Sequence, residues 1–123
     1  MELTHWMSLL GHDRVMAVQD ATSGLRAWVA IHSSRFGRSY GGVRIWDYRN
    51  ESEAVIDALK LSHMMTTKCA LAGINAGGAR AVVLAGSITN RRRAIEVLGR
   101  HIEEMDGLYR PGPDIGFSFT DQE

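Results

Sequence analysis

Two cations and one carboxylate are the side chains best placed to do chemistry: Lys68, Arg80 and Asp114. Lys68 and Arg80 flank a segment rich in glycine and alanine at positions 69–79, so much of the backbone between the two positive charges carries little side-chain bulk. Such a pair suits the carboxylate of a small acid, and Asp114 is a candidate acid/base partner. On spacing alone an alternative stays open, in which both cations are ordinary surface charges and the glycines only shape a turn.

The glycines of this segment do not form a nucleotide-binding motif. A P-loop requires Lys and then Ser or Thr directly after its second glycine, whereas Gly78 is followed by Ala79 and Arg80. The dinucleotide fingerprint G-x-G-x-x-G is also missing from the sequence. We therefore expect no bound cofactor.

Other reactive side chains favour structural roles. Cys69 follows Lys68, but neighbouring helical residues point about 100° apart, and a lone cysteine is usually a small buried apolar group. The five histidines show no metal-ligand spacing, so no metal site is expected. The run Arg91–Arg93 lacks interleaved aromatic residues and is interpreted as a solvated surface rather than a nucleic-acid site.

Length and composition indicate one domain without net charge. The chain has 123 residues, 45% of them hydrophobic, and 14 Lys and Arg residues balance 14 Asp and Glu residues. Balanced charge gives no overall field that attracts nucleic acid or an anionic membrane. The single cysteine excludes an internal disulfide, and the sequence has neither a signal-peptide pattern nor a membrane-length apolar run. We expect one cytoplasmic domain over residues 1–123 that binds neither nucleic acid nor membrane.

The elements that position these residues follow an α/β order. Apolar spacing predicts a helix over Glu2–Leu10, and two β-prone runs joined by the turn formers at 20–24 predict a hairpin. Residues 43–48 predict a third strand. Asn50, with Glu53 three residues later, predicts the start of a long helix whose period fades near Lys68.

The second half of the chain completes this layout. The long helix should face the core with the stripe Ala54, Ala58, Leu61 and Met65. The apolar run at 81–86 predicts a strand covered on both faces, and residues 90–105 predict a second long helix. Prolines and glycines around Asp114 predict a rigid loop or short strand. The fold class predicted is therefore α/β.

The second long helix has an unusual charge pattern. Three arginines lie in its first turn and two glutamates in its last, and both groups oppose the helix dipole. Either these ends are solvated and screened, or the basic end of one subunit meets an acidic end of another. The second alternative favours a homo-oligomer.

Four stretches of sequence carry a family resemblance. They are GLRAWVAIH at 24–32, GGVRIWDY at 41–48, EAVIDALKLSHMMTTKCALAGINAGGARAVV at 53–83 and GRHIEEMDGLYRPGPDIG at 99–116. Together they resemble the N-terminal domain of the Glu/Leu/Phe/Val amino acid dehydrogenases, in particular the leucine dehydrogenases, over essentially the whole chain. The resemblance implies a single domain whose mixed β-sheet, with flanking helices, holds an amino acid substrate and builds the oligomer. In that family a separate Rossmann domain binds NAD, and this chain, ending at Glu123, is expected to have none.

The resemblance also implies roles for individual residues. Lys68 would pair with the substrate α-carboxylate, and Gly41 and Gly42 would form a close backbone wall. Met65 would line the side-chain pocket. Asp114 occupies the position of the family's catalytic aspartate.

Several positions depart from the family pattern. Arg80 stands where the family has its catalytic lysine, and a guanidinium stays charged and cannot act as the base. Tyr40 replaces a small apolar residue, Met64 a glycine and Thr67 a tyrosine, which would reshape the pocket. The expected ligand is therefore an acid other than leucine.

Two functions are compatible with these features. In the first, the chain is a cofactor-independent enzyme of a specialised biosynthetic pathway, acting on an α-amino acid, a 2-oxo acid or a related carboxylated metabolite. Lys68 and Arg80 would hold its anionic groups and Asp114 would move a proton. In the second, it is a non-catalytic ligand-binding or oligomerisation module that partners a full-length dehydrogenase. Both predict a homodimer or a larger homo-oligomer, because bare sheet edges favour association.

Overall fold

A computed structural model of the protein describes residues 1–111. The expectations for Asp114 and the loop around it therefore lie outside the described residues. Within residues 1–111, no helix is long and apolar enough to span a membrane. The helices are α1 (Leu3–Leu10), α2 (Glu51–Leu71) and α3 (Arg91–Glu103), and a short 3₁₀ turn covers Ala85–Ser87.

The strands of residues 1–111 form one mixed sheet. They are β1 (Arg14–Asp20), β2 (Leu25–Ile31), β3 (Ser39–Gly41), β4 (Val43–Trp46), β5 (Gly77–Leu84) and β6 (Tyr109–Pro111). The order is β1-β2-β5-β3-β6, with β4 also paired to β5. β1 and β2 form the predicted antiparallel hairpin, and β2 pairs antiparallel with β5. β3 and β4 run parallel to β5, and β6 runs parallel to β3.

Helices cover both faces of the sheet. On one face, α1 and α2 pack over a cluster that includes Trp28, Ala30 and Val82. On the other face, α3 packs over a larger cluster that includes Val29 and Ala81. Neighbouring strand residues point to opposite faces, which is why consecutive residues of β2 and β5 contribute to both cores. The predicted α/β domain with a mixed sheet and flanking helices is confirmed.

The start of α2 is also as predicted. The Asn50 side chain accepts a hydrogen bond from the Glu53 backbone amide at 2.9 Å, which satisfies one of the free amides of the first turn. The Glu53 carboxylate accepts from the Arg49 backbone amide at 3.1 Å, instead of returning to Asn50. The helix therefore begins at the predicted residue with one half of the expected capping pair.

The predicted start of the central strand was wrong. β5 begins at Gly77, four residues before the predicted run, so Gly77, Gly78 and Ala79 belong to a strand and only residues 72–76 form a connection. The strand β3 was not predicted, because Ser39–Gly41 is too short to show a period of two. Both strands are held mainly by tertiary packing.

Candidate functional site

Arg80 lies in β5, opposite Ala30 of β2. Alternation along the strand places its side chain on the same face as Val82, which is the face covered by α2. The side chain is partly buried, and its Nε is fully buried with no hydrogen-bond partner among residues 1–111. A buried donor left without a partner costs about 1–3 kcal/mol. Such an unpaired N–H is unusual in a folded protein.

The charge of Arg80 acts on two buried phenols. Burial, followed by the hydrogen bond to Asp57, raises the pKa of Tyr48, while the charges of Arg44 and Arg80 oppose that rise. Burial likewise raises the pKa of Tyr109, again opposed by Arg80. Arg80 therefore lies within electrostatic reach of both hydroxyl groups.

Lys68 lies in the last turn of α2 and is exposed. Its side chain has no hydrogen-bond or ion-pair partner among residues 1–111. Two residues earlier, the Thr66 hydroxyl accepts a hydrogen bond from the backbone amide of Gly78 at 2.8 Å. That bond joins the helical turn that carries Lys68 to the strand that carries Arg80. The two cations thus belong to one packed helix–strand unit.

Tyr40 and Met65 lie beside this unit. Tyr40 is half-buried in β3 and is paired in parallel register with Gly78, so it shares the face that α2 covers. Met65 is half-buried in α2, three residues before Lys68 and therefore close to it on the helix surface. Tyr40, Met65, Lys68 and Arg80 all belong to elements packed around β5. The convergence of Lys68, Arg80 and Asp114 on one surface stays a prediction.

The glycines of this region allow backbones to approach each other. A Cβ on Gly78 would lie 2.1 Å from the Ser62 carbonyl oxygen of α2. A Cβ on Gly77 would lie 2.0 Å from the Ser33 carbonyl oxygen, and one on Gly41 would lie 1.5 Å from the Ala79 carbonyl oxygen. Protein atoms already occupy the space that a side chain would fill. These glycines do not fit a cradle for a dinucleotide pyrophosphate in residues 1–111.

Gly42 contributes a carbonyl to the same region. Its oxygen accepts hydrogen bonds from the Ala81 amide, at 3.0 Å, and from the Tyr109 hydroxyl. The predicted backbone wall of Gly41 and Gly42 is therefore a junction between β3, β4, β5 and β6. Its contact with a ligand stays a prediction.

An open groove of about 290 Å³ lies between β4 and α2 and was not anticipated. Within it, the Arg44 guanidinium lies 4.5 Å from the centre of the Trp46 ring and 3.8 Å from the Asp57 carboxylate. The Tyr48 hydroxyl donates to the same carboxylate. These polar groups already satisfy one another, so the groove presents no unpaired group comparable to Arg80. The alternation of Arg44 and Trp46 on a strand was the available sequence signal.

Comparison with known proteins adds evidence for a family. Residues 11–120 match the family described as "Glu/Leu/Phe/Val dehydrogenase, dimerisation domain". The chain is 37% identical to leucine dehydrogenase of Geobacillus stearothermophilus, with 100% of this chain and 34% of the relative covered. It is 38% identical to valine dehydrogenase of Streptomyces albus, with 92% and 31% covered. The chain thus spans about a third of the length of these relatives.

Solved structures show the same relationship. The L-tryptophan dehydrogenase structure from Nostoc punctiforme superposes with a TM-score of 0.84 at 34% identity, covering 89% of this chain and 33% of that one. The glutamate dehydrogenase structure from Peptoniphilus asaccharolyticus gives a TM-score of 0.54 at 23% identity, covering 78% and 27%. The latter similarity concerns the fold alone.

Proposed function

The chain belongs to the Glu/Leu/Phe/Val dehydrogenase family, and from that premise we propose that it binds the carboxylate of an α-amino acid, a 2-oxo acid or a related metabolite. The observation that carries this proposal is the buried Nε of Arg80, which has no acceptor among residues 1–111. A carboxylate is the acceptor that a guanidinium binds best, since two parallel N–H groups meet two oxygens. The exposed Lys68 ammonium supplies the second charge.

The roles of the surrounding residues follow from their positions and from the family. Tyr40 and Met65 would contact the side chain of the ligand, and the bulk of the Tyr40 ring would select a ligand shape different from leucine. Gly41 and Gly42 would form the backbone wall beside it. Each of these contacts is a proposal that supports the choice of ligand class.

The proposed chemistry is proton transfer without a nicotinamide cofactor. Arg80 stays protonated and cannot remove a proton, so we assign that step to the Asp114 carboxylate. Asp114 would take a proton from the carbon next to the substrate carbonyl, the electron pair would move to the carbonyl oxygen, and Arg80 would stabilise the enolate. Return of the proton to the same carbon completes the cycle, so no oxidant or reductant is needed.

The second candidate function is a non-catalytic module that binds the same acid or assembles with a full-length dehydrogenase. The observation that favours it is the guanidinium at position 80, which can hold an anion but cannot shuttle protons near neutral pH. Assembly has its own support, because β1 is an edge strand of the described sheet and the matched family is a dimerisation domain. We propose a homodimer or larger homo-oligomer, and a strictly monomeric mass in sedimentation experiments would contradict it.

Titration calorimetry with a panel of amino acids and 2-oxo acids tests the proposed site. Arg80→Met and Lys68→Met should each lower the affinity for the acid by about 10- to 100-fold, since each removes a charged hydrogen bond worth about 1.5–3 kcal/mol. Lys60→Met is the matched control, because Lys60 is an exposed lysine of the same helix, eight residues before Lys68. Equal losses in all three variants would mean a general charge effect and no site.

Isotope exchange separates the enzyme from the module. In D₂O and without cofactor, the enzyme should exchange the hydrogen next to the carbonyl of a bound 2-oxo acid, and Asp114→Asn should abolish that exchange. Binding without exchange would support the module. Tight binding of NAD or NADH in the same calorimeter would contradict both candidates as stated.

A further inference from the structure

Three histidines stack on the side of the sheet covered by α1 and α2. His12 follows α1, His32 follows β2 and His63 lies in α2. The ring centroids of His12 and His32 are 4.7 Å apart, and those of His32 and His63 are 4.8 Å apart, both edge to face. Residues 1–111 contain no His, Cys, Asp or Glu group with metal-site geometry. At these distances, a proton on one ring disfavours a proton on the next.

His32 occupies the middle of the cluster with both ring nitrogens hydrogen-bonded. Its Nε2 lies 2.7 Å from the Leu10 carbonyl oxygen and must donate, because a carbonyl only accepts. Its Nδ1 lies 2.6 Å from the Thr66 hydroxyl oxygen, which also accepts from the Gly78 amide at 2.8 Å. In neutral His32, Nδ1 therefore accepts from the Thr66 hydroxyl. Both ring nitrogens of His32 are therefore satisfied.

His12 is buried and only half satisfied. Its Nε2 lies 2.8 Å from the Ser62 hydroxyl oxygen, and that hydroxyl donates to the Ala58 carbonyl at 2.7 Å, so Nε2 must be the donor. Its Nδ1 is buried without a hydrogen-bond partner among residues 1–111. A proton added at Nδ1 would be a buried N–H with no acceptor and a charge facing His32.

The groups that act on the charge of His12 come from every side of the cluster. Burial, followed by the charge of His32, lowers the pKa of His12 from 6.5 to about 4, and His63 acts in the same direction. The Leu59 backbone, through a hydrogen bond, and then the Asp13 carboxylate oppose them. His12 is therefore neutral as long as it stays in place.

The attachment of α1 depends on this neutral histidine. None of the residues of α1 is fully buried, and its first turn has no side-chain cap. Its last turn is held by the His32–Leu10 hydrogen bond and by the His12 amide, which donates to the Met7 carbonyl at 2.8 Å. Its remaining attachment comes from partly buried apolar side chains that pack on the core, Leu3, Trp6, Met7 and Leu10. An element held without fully buried side chains opens at low free-energy cost. If His12 moves, the last turn of α1 loses these contacts with the rest of the domain.

We propose that the histidine cluster is an acid-sensitive attachment point, at which protonation of His12 releases α1 from α2 while the sheet stays folded. The released state binds one more proton than the attached state once the pH is below 6.5. Attachment is therefore complete above pH 6.5 and weakens as the pH falls to about 4. Over that interval the opening constant should rise by about tenfold per pH unit.

Amide hydrogen exchange of the whole chain measures this opening residue by residue. From pH 6.5 to about 4, protection factors of the α1 amides should fall by about tenfold per pH unit and stay well below those of β2 and β5, because α1 opens without unfolding of the sheet. His12→Gln keeps a donor near the Nε2 position and cannot gain a proton, so it should remove the pH dependence. His5→Gln is the matched control, since His5 lies on α1 outside the ring stack.

A second variant tests the proposal even if His12→Gln fails to fold. His63 is exposed at the edge of the cluster, and His63→Gln removes one neighbouring charge without disturbing buried packing. His12 is then easier to protonate in place, so the fall in α1 protection should stop at a higher pH and be smaller in total, a change that a purely structural role would not produce. Equal protection of the α1 and β5 amides at every pH would show that α1 does not open separately, and an unchanged profile in both His12→Gln and His63→Gln would exclude the histidines; either result would overturn the proposal.

Discussion

Replacing Gly78 by alanine tests whether the glycine-rich strand serves packing. A Cβ there would lie 2.1 Å from the Ser62 carbonyl oxygen and 2.4 Å from the Thr66 amide nitrogen. Both are backbone atoms of α2, which would have to move by about 1 Å to restore ordinary contact. Overpacking of this kind costs about 1–3 kcal/mol, and loss of the Gly78–Thr66 hydrogen bond adds about 1 kcal/mol. We expect the free energy of unfolding to fall by about 2–4 kcal/mol.

Urea unfolding followed by circular dichroism measures this change. With a slope of about 2 kcal/mol per molar urea, the midpoint should fall by about 1–2 M. Gly86→Ala is the control, because the nearest atom to its Cβ is the Asp47 carboxylate oxygen at 3.3 Å, the end of a flexible side chain. If the two variants unfold at the same urea concentration, the packing explanation of Gly78 is wrong. A loss of ligand affinity with unchanged stability would instead indicate that Gly78 makes room for a ligand.

Three further predictions concern other parts of the chain. Asn50→Ala removes the cap of α2 and should lower the free energy of unfolding by about 1 kcal/mol; an unchanged urea midpoint would contradict this role. Cys69 is buried and burial raises the pKa of its thiol, so a disulfide reagent should label it in urea but not in the native protein. Rapid native labelling would show that the thiol is accessible. Because the pKa of His12 is lowered to about 4, the free energy of unfolding should fall by about 3 kcal/mol more in the wild type than in His12→Gln as the pH drops from 6.5 to about 4; parallel losses would contradict that assignment.

The sequence predicted those elements whose signals are local. The hairpin of β1 and β2 consists of two β-prone runs joined by a turn that contains Asp, Thr, Ser and Gly. The structure pairs Asp20 directly with Leu25. The start of α2 was encoded by Asn50 and Glu53, which are neighbours on the helix surface. The order of the predicted elements gave the α/β class, and the family resemblance added the mixed sheet.

The features that were missed depend on contacts between distant residues. The predicted buried stripe of α2 included Leu61 and Met65, which are half-buried, whereas Leu59 and Ser62 are fully buried. Ser62 can face the sheet because Gly78 has no side chain, and a helical period cannot report that pairing. Gly77 likewise leaves room for the Ser33 carbonyl, so close backbone packing accounts for two glycines in a strand although glycine disfavours strands.

The candidate site was predicted only in part. Sequence analysis identified Lys68 and Arg80 as notable cations, and the structure gives Arg80 a buried, unpaired Nε that no spacing rule could have indicated. The role of Asp114 rests on the family resemblance, because that residue lies outside the described part of the chain. The histidine cluster was missed because its members are far apart in sequence and meet only when α1, β2 and α2 pack.

The most direct test of the central claim is an NMR titration that follows the Arg80 Nε–H resonance, assigned by its absence in Arg80→Lys. When a 2-oxo acid or an amino acid with measurable affinity is added, that resonance should move in a saturable way as the N–H gains a carboxylate acceptor. If the acid binds and the Arg80 signal stays in place while signals elsewhere shift, the carboxylate binds at another site and the proposed function is wrong.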